Sequence, residues 1–176
     1  MKHVKYIFLL FVVGLFITNI FAQNEPPRLS PKASVSQVIG YTEVTIVYSR
    51  PGVKERQIWG GLVPYNEVWR TGANEATTIE FSDDVTVEGN EVPKGKYGLF
   101  TIPGEKEWTI ILNKTWDQWG AFNYDESKDL LRFKVKPQKS DFTERLLITF
   151  EYVSPYSANI VIEWNELEIP FLVETN

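Results

Sequence analysis

What most constrains this chain is an alternation of apolar and polar residues at period two, repeated in short runs from Ala33 almost to the end. Val44, Ile46 and Tyr48 share one phase, and Ile79 with Phe81, Val85 with Val87, and Trp108, Ile110 and Leu112 repeat it. Successive side chains of a strand point to opposite faces, so each run describes a strand with one face in a core. Leu131, Phe133 and Val135 alternate with Arg132, Lys134 and Lys136, which marks the other face as solvated. Tyr97, Leu99 and Thr101 form a further run, with Phe100 and Ile102 apolar on the opposite phase. Leu146, Ile148, Phe150 and Tyr152 make another. Ile160, Ile162 and Trp164 are followed by Leu167, Ile169 and Phe171, a slip of one residue that a bulge or tight turn near Asn165 would produce.

Turn residues fall between these runs. Gly89-Asn90 suits a two-residue hairpin between Val87 and Val92, and Pro51-Gly52, Pro103-Gly104 and Ser154-Pro155 punctuate the rest. The result is roughly nine or ten short strands with no long amphipathic helix. An antiparallel β-sandwich or jelly-roll buries that many half-apolar strands, with a closed β-barrel as the alternative. Ile46, Ile79, Leu99, Ile110, Phe133, Ile148 and Ile162 are expected in the core.

The N-terminus follows a different rule. Lys2, His3 and Lys5 precede an almost wholly apolar run from Tyr6 to Phe21, which ends at Ala22 before the polar Gln23-Asn24-Glu25. In order, these are the parts of a secretory signal peptide, with cleavage expected after Ala22 and a periplasmic or secreted product. A membrane anchor is the rival, since the apolar run of roughly 16 residues is only slightly shorter than a span of roughly 17 to 25. Residues 23–32, with Pro26, Pro27 and Pro31, read as a Pro-rich linker or first edge segment, and 33–176 as a single β domain. Removing the first 22 of 176 residues leaves 154, one ordinary domain. Lys2 and Lys5 go with them, so 16 basic residues face 23 acidic ones and the net charge moves from −5 to −7. Nucleic acid and anionic lipid are poor partners for such a surface, and no stable membrane anchor is expected after cleavage.

His3 and Met1 are the single His and Met, and Cys is absent. The processed chain would hold none of the three, which excludes Ser-His-Asp and Cys-His catalysis, His zinc sites and thiolate metal sites. Any catalysis falls to Asp, Glu, Lys, Tyr, Ser, Thr or Arg, and no cofactor or metal is expected. Asp117, Asp125, Glu126 and Asp129 invite calcium, but their spacing does not match the D-x-[DN]-x-[DN]-G loop. Asn113-Lys114-Thr115 matches a glycosylation sequon that matters only in a eukaryotic secretory pathway.

Two long stretches, Ser49 to Ala76 and Asn113 to Asp129, break the alternation and carry four of the six Trp residues. Connections longer than roughly 12 to 15 residues within a domain are usually functional or disordered, and this density of aromatics argues against disorder. The run Ile58 to Ile79, containing Trp59-Gly60-Gly61, Pro64-Tyr65-Asn66 and Trp69-Arg70-Thr71-Gly72, resembles the signature of an exported bacterial family, domain of unknown function family 2911. Gly95 to Pro103 and Asn113 to Asp125 resemble it too, and the likeness extends from about Ser30 to Phe171. The resemblance implies a bacterial envelope or secreted setting and supplies no activity or site residue.

The candidate ligand-binding residues are Trp59, Trp69, Arg70, Asn74, Glu75, Trp116 and Trp119. A guanidinium, an amide and a carboxylate beside indole faces can grip a sugar or carboxylate by planar hydrogen bonds and stacking. The structural alternative makes Arg70 and Glu75 a buried pair, with a turn at Gly72 and Asn74 capping it. Trp116 and Trp119, three apart, share one face if helical; outward they form a stacking platform for sugar rings, and inward they plug an end of the sandwich. The two stretches are expected to meet and shape the principal cleft. A non-catalytic module binding a neutral or anionic small ligand or glycan is the expected function. The alternatives are a carboxylate-dependent hydrolase of envelope or extracellular polysaccharide, using Glu75 with Asp117 or Asp125, and a structural envelope protein.

Overall fold

The computed structural model describes residues 26–176, so the expected signal peptide and its cleavage point lie outside the described residues. Ten strands follow in order: β1 (Lys32–Ile39), β2 (Thr42–Ser49), β3 (Thr78–Phe81), β4 (Val85–Val87), β5 (Asn90–Val92), β6 (Gly95–Ile102), β7 (Trp108–Asn113), β8 (Asp129–Val135), β9 (Gln138–Ser154) and β10 (Ser157–Glu174). They form a six-stranded sheet in the order β1-β2-β3-β6-β7-β8 and a four-stranded sheet in the order β5-β4-β10-β9. Every pairing is antiparallel and neither sheet closes on itself, so the fold is a β-sandwich and not the alternative barrel.

The alternating residues meet between the sheets. Ile46, Ile79, Leu99, Ile110, Ile148 and Ile162 are fully buried in one cluster, and Phe133 packs against it from the edge strand β8. The phase slip in the last strand is a bulge: Asn165 adopts φ 59°, register shifts flank it, and β10 continues unbroken on both sides. The β4–β5 turn sits one residue earlier than the sequence suggests. Glu88 and Gly89, at φ 47° and 76°, make the two-residue link, while Asn90 opens β5. Asn90 Nδ2 donates to the carbonyls of Val87 and Glu88, which holds the turn closed without an Asn inside it.

The chain also seals one open edge. Beyond β2 it crosses to the second sheet, where Leu146 N–H donates to Pro51 O at 3.0 Å, Val53 N–H to Glu144 O at 2.8 Å, and Arg50 Nε to Leu146 O at 2.8 Å. These bonds occupy the outer groups of β9, an edge that would otherwise pair with another chain.

Candidate functional site

The first Trp-rich stretch packs its aromatics, Trp59, Tyr65 and Trp69, on the core. Trp59 is buried, and with Trp69, Trp108 and Trp164 it forms a four-indole cluster. Trp59 meets Trp108 edge to face at a centroid separation of 4.9 Å, and Trp69 stacks on Trp164 at 5.8 Å. Each such ring removes roughly 150–250 Å² from water, which makes this cluster the heaviest part of the core. The segment is also stitched to β6, since Trp69 N–H donates to Thr101 O and Thr101 N–H returns the bond to Trp69 O. Trp69 Nε1 donates to Gly72 O at 3.1 Å, so the indole fixes the turn that follows it.

The second stretch lies over the outer face of the same sheet. Phe100 and Ile111, which point away from the main core, are covered by Val68 and Ala76 from the first stretch and by Ala121 and Tyr124 from the second. This explains why Phe100 and Ile102 are apolar on the opposite phase of β6. Asn113, fully buried, organises the second stretch: Nδ2 donates to Asp125 O and Asp129 Oδ1, and Oδ1 accepts from Thr115 N–H. Its burial removes it as a glycan acceptor. Asp129 also accepts from Tyr124 Oη at 2.6 Å and from Arg132 Nε, while Glu126 pairs with Arg132 at 3.0 Å. These carboxylates are therefore committed to local contacts, and among the described residues no group of three or more His, Cys, Asp or Glu is placed to hold a metal ion.

The two stretches meet through their backbones. Glu75 and Trp119 form an antiparallel bridge, with Ala76 N–H donating to Gln118 O and Gly120 N–H to Asn74 O, both at 3.0 Å. Trp116 and Trp119 share no helical face, and neither plugs the sandwich. They are 37% and 56% exposed, and the apolar outer face of the sheet is covered by other side chains instead. The expected Arg70–Glu75 pair is also absent. Arg28 Nη1 instead reaches both oxygens of Glu75 at 2.8 Å, and Asn74 Nδ2 donates to Ser30 O. The Pro-rich lead-in is thus tied to the first stretch. The Arg28 hydrogen bond holds the Glu75 carboxyl below the ordinary carboxylate range.

Two clefts open along these stretches. The first, about 270 Å³, is walled by Arg56, Trp69, Arg70 and Trp164, and no carboxylate lines it. Arg56 is engaged, donating from Nε to Val53 O and from Nη2 to Gly52 O. Arg70 is not: it makes no side-chain hydrogen bond or ion pair among the described residues, and its buried Nε has no partner. Burial pushes its pKa down. The second cleft, about 210 Å³, is walled by Lys32, Glu75, Lys96, Trp116, Asp117 and Gln118. Trp59, Asn74 and Trp119 line neither cleft. A larger opening of about 720 Å³ lies elsewhere, among Asp84, Glu91, Leu130 and Glu174, so the Trp-rich stretches do not frame the most voluminous recess.

Sequence reasoning missed Gln118, Lys96 and Trp164. Gln118 stands between two candidates in Trp-Asp-Gln-Trp, the one local signal that pointed to it. Trp164 carried only a strand signal, and its place beside Trp69 follows from the packing of the two sheets. Comparison with curated proteins and comparison with solved structures each find no match. A family model does match residues 30–173, nearly all of the described chain. The two-sheet core, the Trp-rich stretches and the bridge between them all fall inside that match, and the chain belongs to the family described as protein of unknown function, DUF2911.

Proposed function

We propose that the chain is an exported, non-catalytic binding module whose Arg70 cleft takes a small carboxylate-bearing ligand, sugar acids included. The observation that carries this reading is the half-buried guanidinium of Arg70, whose buried Nε has no partner, in a cleft that holds a second arginine and no acid. A buried donor left unpaired costs about 1–3 kcal/mol, a cost that an arriving acceptor removes. The planar fork of Arg matches a carboxylate through two parallel bonds, and the indole walls of Trp69 and Trp164 suit an apolar or ring-shaped body behind it. Export is supported by the order of basic, apolar and polar residues from Lys2 to Gln23.

The hydrolase alternative is less well supported. Glycoside cleavage needs one carboxyl with a raised pKa as its acid, whereas Glu75 and Asp125 are both shifted down, by hydrogen bonds from Arg28 and from Ser127. Titration calorimetry of the purified protein with acetate, glucuronate and inorganic phosphate tests the binding reading. Saturable binding of glucuronate is expected, weakened about tenfold or more in Arg70→Gln, since a hydrogen bond to a charged group contributes about 1.5–3 kcal/mol. No binding of glucuronate, or equal binding by Arg70→Gln, overturns it.

A further inference from the structure

The second cleft differs from the first in its chemistry. Two lysines, Lys32 and Lys96, and two carboxylates, Glu75 and Asp117, line it, so their charges balance and the cleft offers no net attraction to an ion. Its distinctive group is Gln118, whose residue is only 9% exposed. Nε2 donates to Thr115 O at 2.9 Å, which fixes the amide's orientation, and the buried Oε1 is left with no partner. An orphaned acceptor calls for a donor, either a hydroxyl or an N–H.

Beside Gln118, Trp116 offers an indole surface with the Lys96 ammonium 4.4 Å from its ring centroid. The lysine also pairs with Glu80 at 3.9 Å. Ser49 and Thr78 add hydroxyl-bearing residues to the wall. An apolar ring surface, a few hydroxyls and one unsatisfied acceptor in a charge-balanced recess match a molecule with one apolar face and a rim of hydroxyls.

We propose that the cleft between Trp116 and Gln118 is a second binding site, distinct from the Arg70 cleft, which takes a neutral sugar ring through a hydroxyl donated to Gln118 Oε1. Charge balance excludes the simple anion that suits the first cleft. The acceptor is fixed before the ligand arrives, because the backbone of Gln118 is locked on both sides: its N–H donates to Trp116 O and its carbonyl accepts from Ala76 N–H. Preorganisation of this kind reduces the ordering that binding requires.

The test is a titration of the purified protein with methyl β-glucoside, N-acetylglucosamine and N-methylacetamide, read by NMR at the Trp116 indole N–H and the Gln118 side-chain amide. Saturable shifts at both signals are expected with a sugar, with affinity falling about tenfold or more in Gln118→Leu and in Trp116→Ala. Trp116 is exposed, so its substitution keeps the test open if Gln118→Leu fails to fold. Saturating acetate is expected to leave neutral-sugar binding unchanged, which separates this site from the carboxylate cleft. Three outcomes overturn the proposal. They are no shift with either sugar, sugar binding that survives both Gln118→Leu and Trp116→Ala, and binding of N-methylacetamide alone, which would assign the acceptor to a peptide-like N–H donor.

Discussion

Glu75 and Trp119 face each other as an antiparallel pair that joins the two Trp-rich stretches. In one cleft Arg70 lies unpaired against indole walls, and in the other Gln118 carries an unpaired oxygen. Gln118 owes its position to the bridge, where its carbonyl accepts from Ala76 N–H, whereas the Arg70 carbonyl accepts from Thr77 N–H. Among the described residues five buried side-chain polar atoms lack a partner, and of these Arg70 Nε is a donor and Gln118 Oε1 the one acceptor.

Gly120 joins the bridge to the Arg70 cleft. It adopts φ +67°, and a Cβ there would lie 3.0 Å from the Phe122 ring and 3.3 Å from Arg70 Nη1. Gly120→Ala is expected to cost about 1–2 kcal/mol for the left-handed backbone and, by displacing Arg70, to weaken glucuronate binding. Gly89→Ala is the control, at φ +76° with nothing within 4 Å of the added carbon. It should lose similar stability in urea denaturation yet bind glucuronate as the parent does. Equal binding by both variants would show that Gly120 does not position Arg70.

Arg70 itself gives the sharpest separation of function from stability. Removing a guanidinium that stabilises the fold should weaken it, whereas removing an unpaired one with a buried Nε should not. Arg70→Met is expected to hold stability or raise it by about 1 kcal/mol while carboxylate binding is lost. A loss of more than about 2 kcal/mol in chemical denaturation would instead give Arg70 a structural role.

Tyr48 ties the sheets together. Its hydroxyl accepts from Ile148 N–H at 3.0 Å and lies 3.4 Å from Ile148 O, on the open side of β9. Tyr48→Phe leaves a buried amide without an acceptor, at an expected cost of about 1–3 kcal/mol in urea denaturation. A cost below about 0.5 kcal/mol would mean that water or a shifted neighbour replaces the hydroxyl.

Tyr124 sets an alkaline limit. Burial, then its hydrogen bond to Asp129, moves its pKa from 10.0 up to about 12. The folded state therefore keeps a proton that the unfolded chain releases first. The contribution is fully present below pH 10, declines as pH rises, and is lost above about 12. Stability of the parent should fall across this window more steeply than that of Tyr124→Phe. Parallel curves for the two proteins between pH 10 and 12 would contradict the assignment.

The N-terminal reading has its own check. Intact-mass measurement of protein recovered from its native host should give a chain starting at Gln23. A product that retains Met1 to Ala22 and sediments with membranes would identify an anchor instead.

Much of the fold is legible in the sequence because strand faces repeat every two residues, a local rule that needs no knowledge of partners. The core residues from Ile46 to Ile162 follow from it, and so does the bulge at Asn165, where the phase slips. Even the apolar opposite phase at Phe100 and Ile102 is written there, although what covers it is not. The hairpin at Glu88-Gly89 was displaced by one residue because Gly89 fits either position of a two-residue turn.

The site was legible only as composition. The sequence alone determined that Trp, Arg, Asn and Glu gather in two long connections, and that the processed chain would have no His or Cys with which to do nucleophilic chemistry. It could not sort Trp59 and Trp69, which face the core, from Trp116 and Trp119, which do not. All four are equally apolar, and their direction depends on what else fills the space beneath them. Nor could it show that Glu75 would be taken by Arg28, 47 residues earlier, leaving Arg70 alone. Ion pairing is decided by which charged groups the packed backbone brings within about 4 Å, and irregular connections carry no periodicity from which that distance can be read.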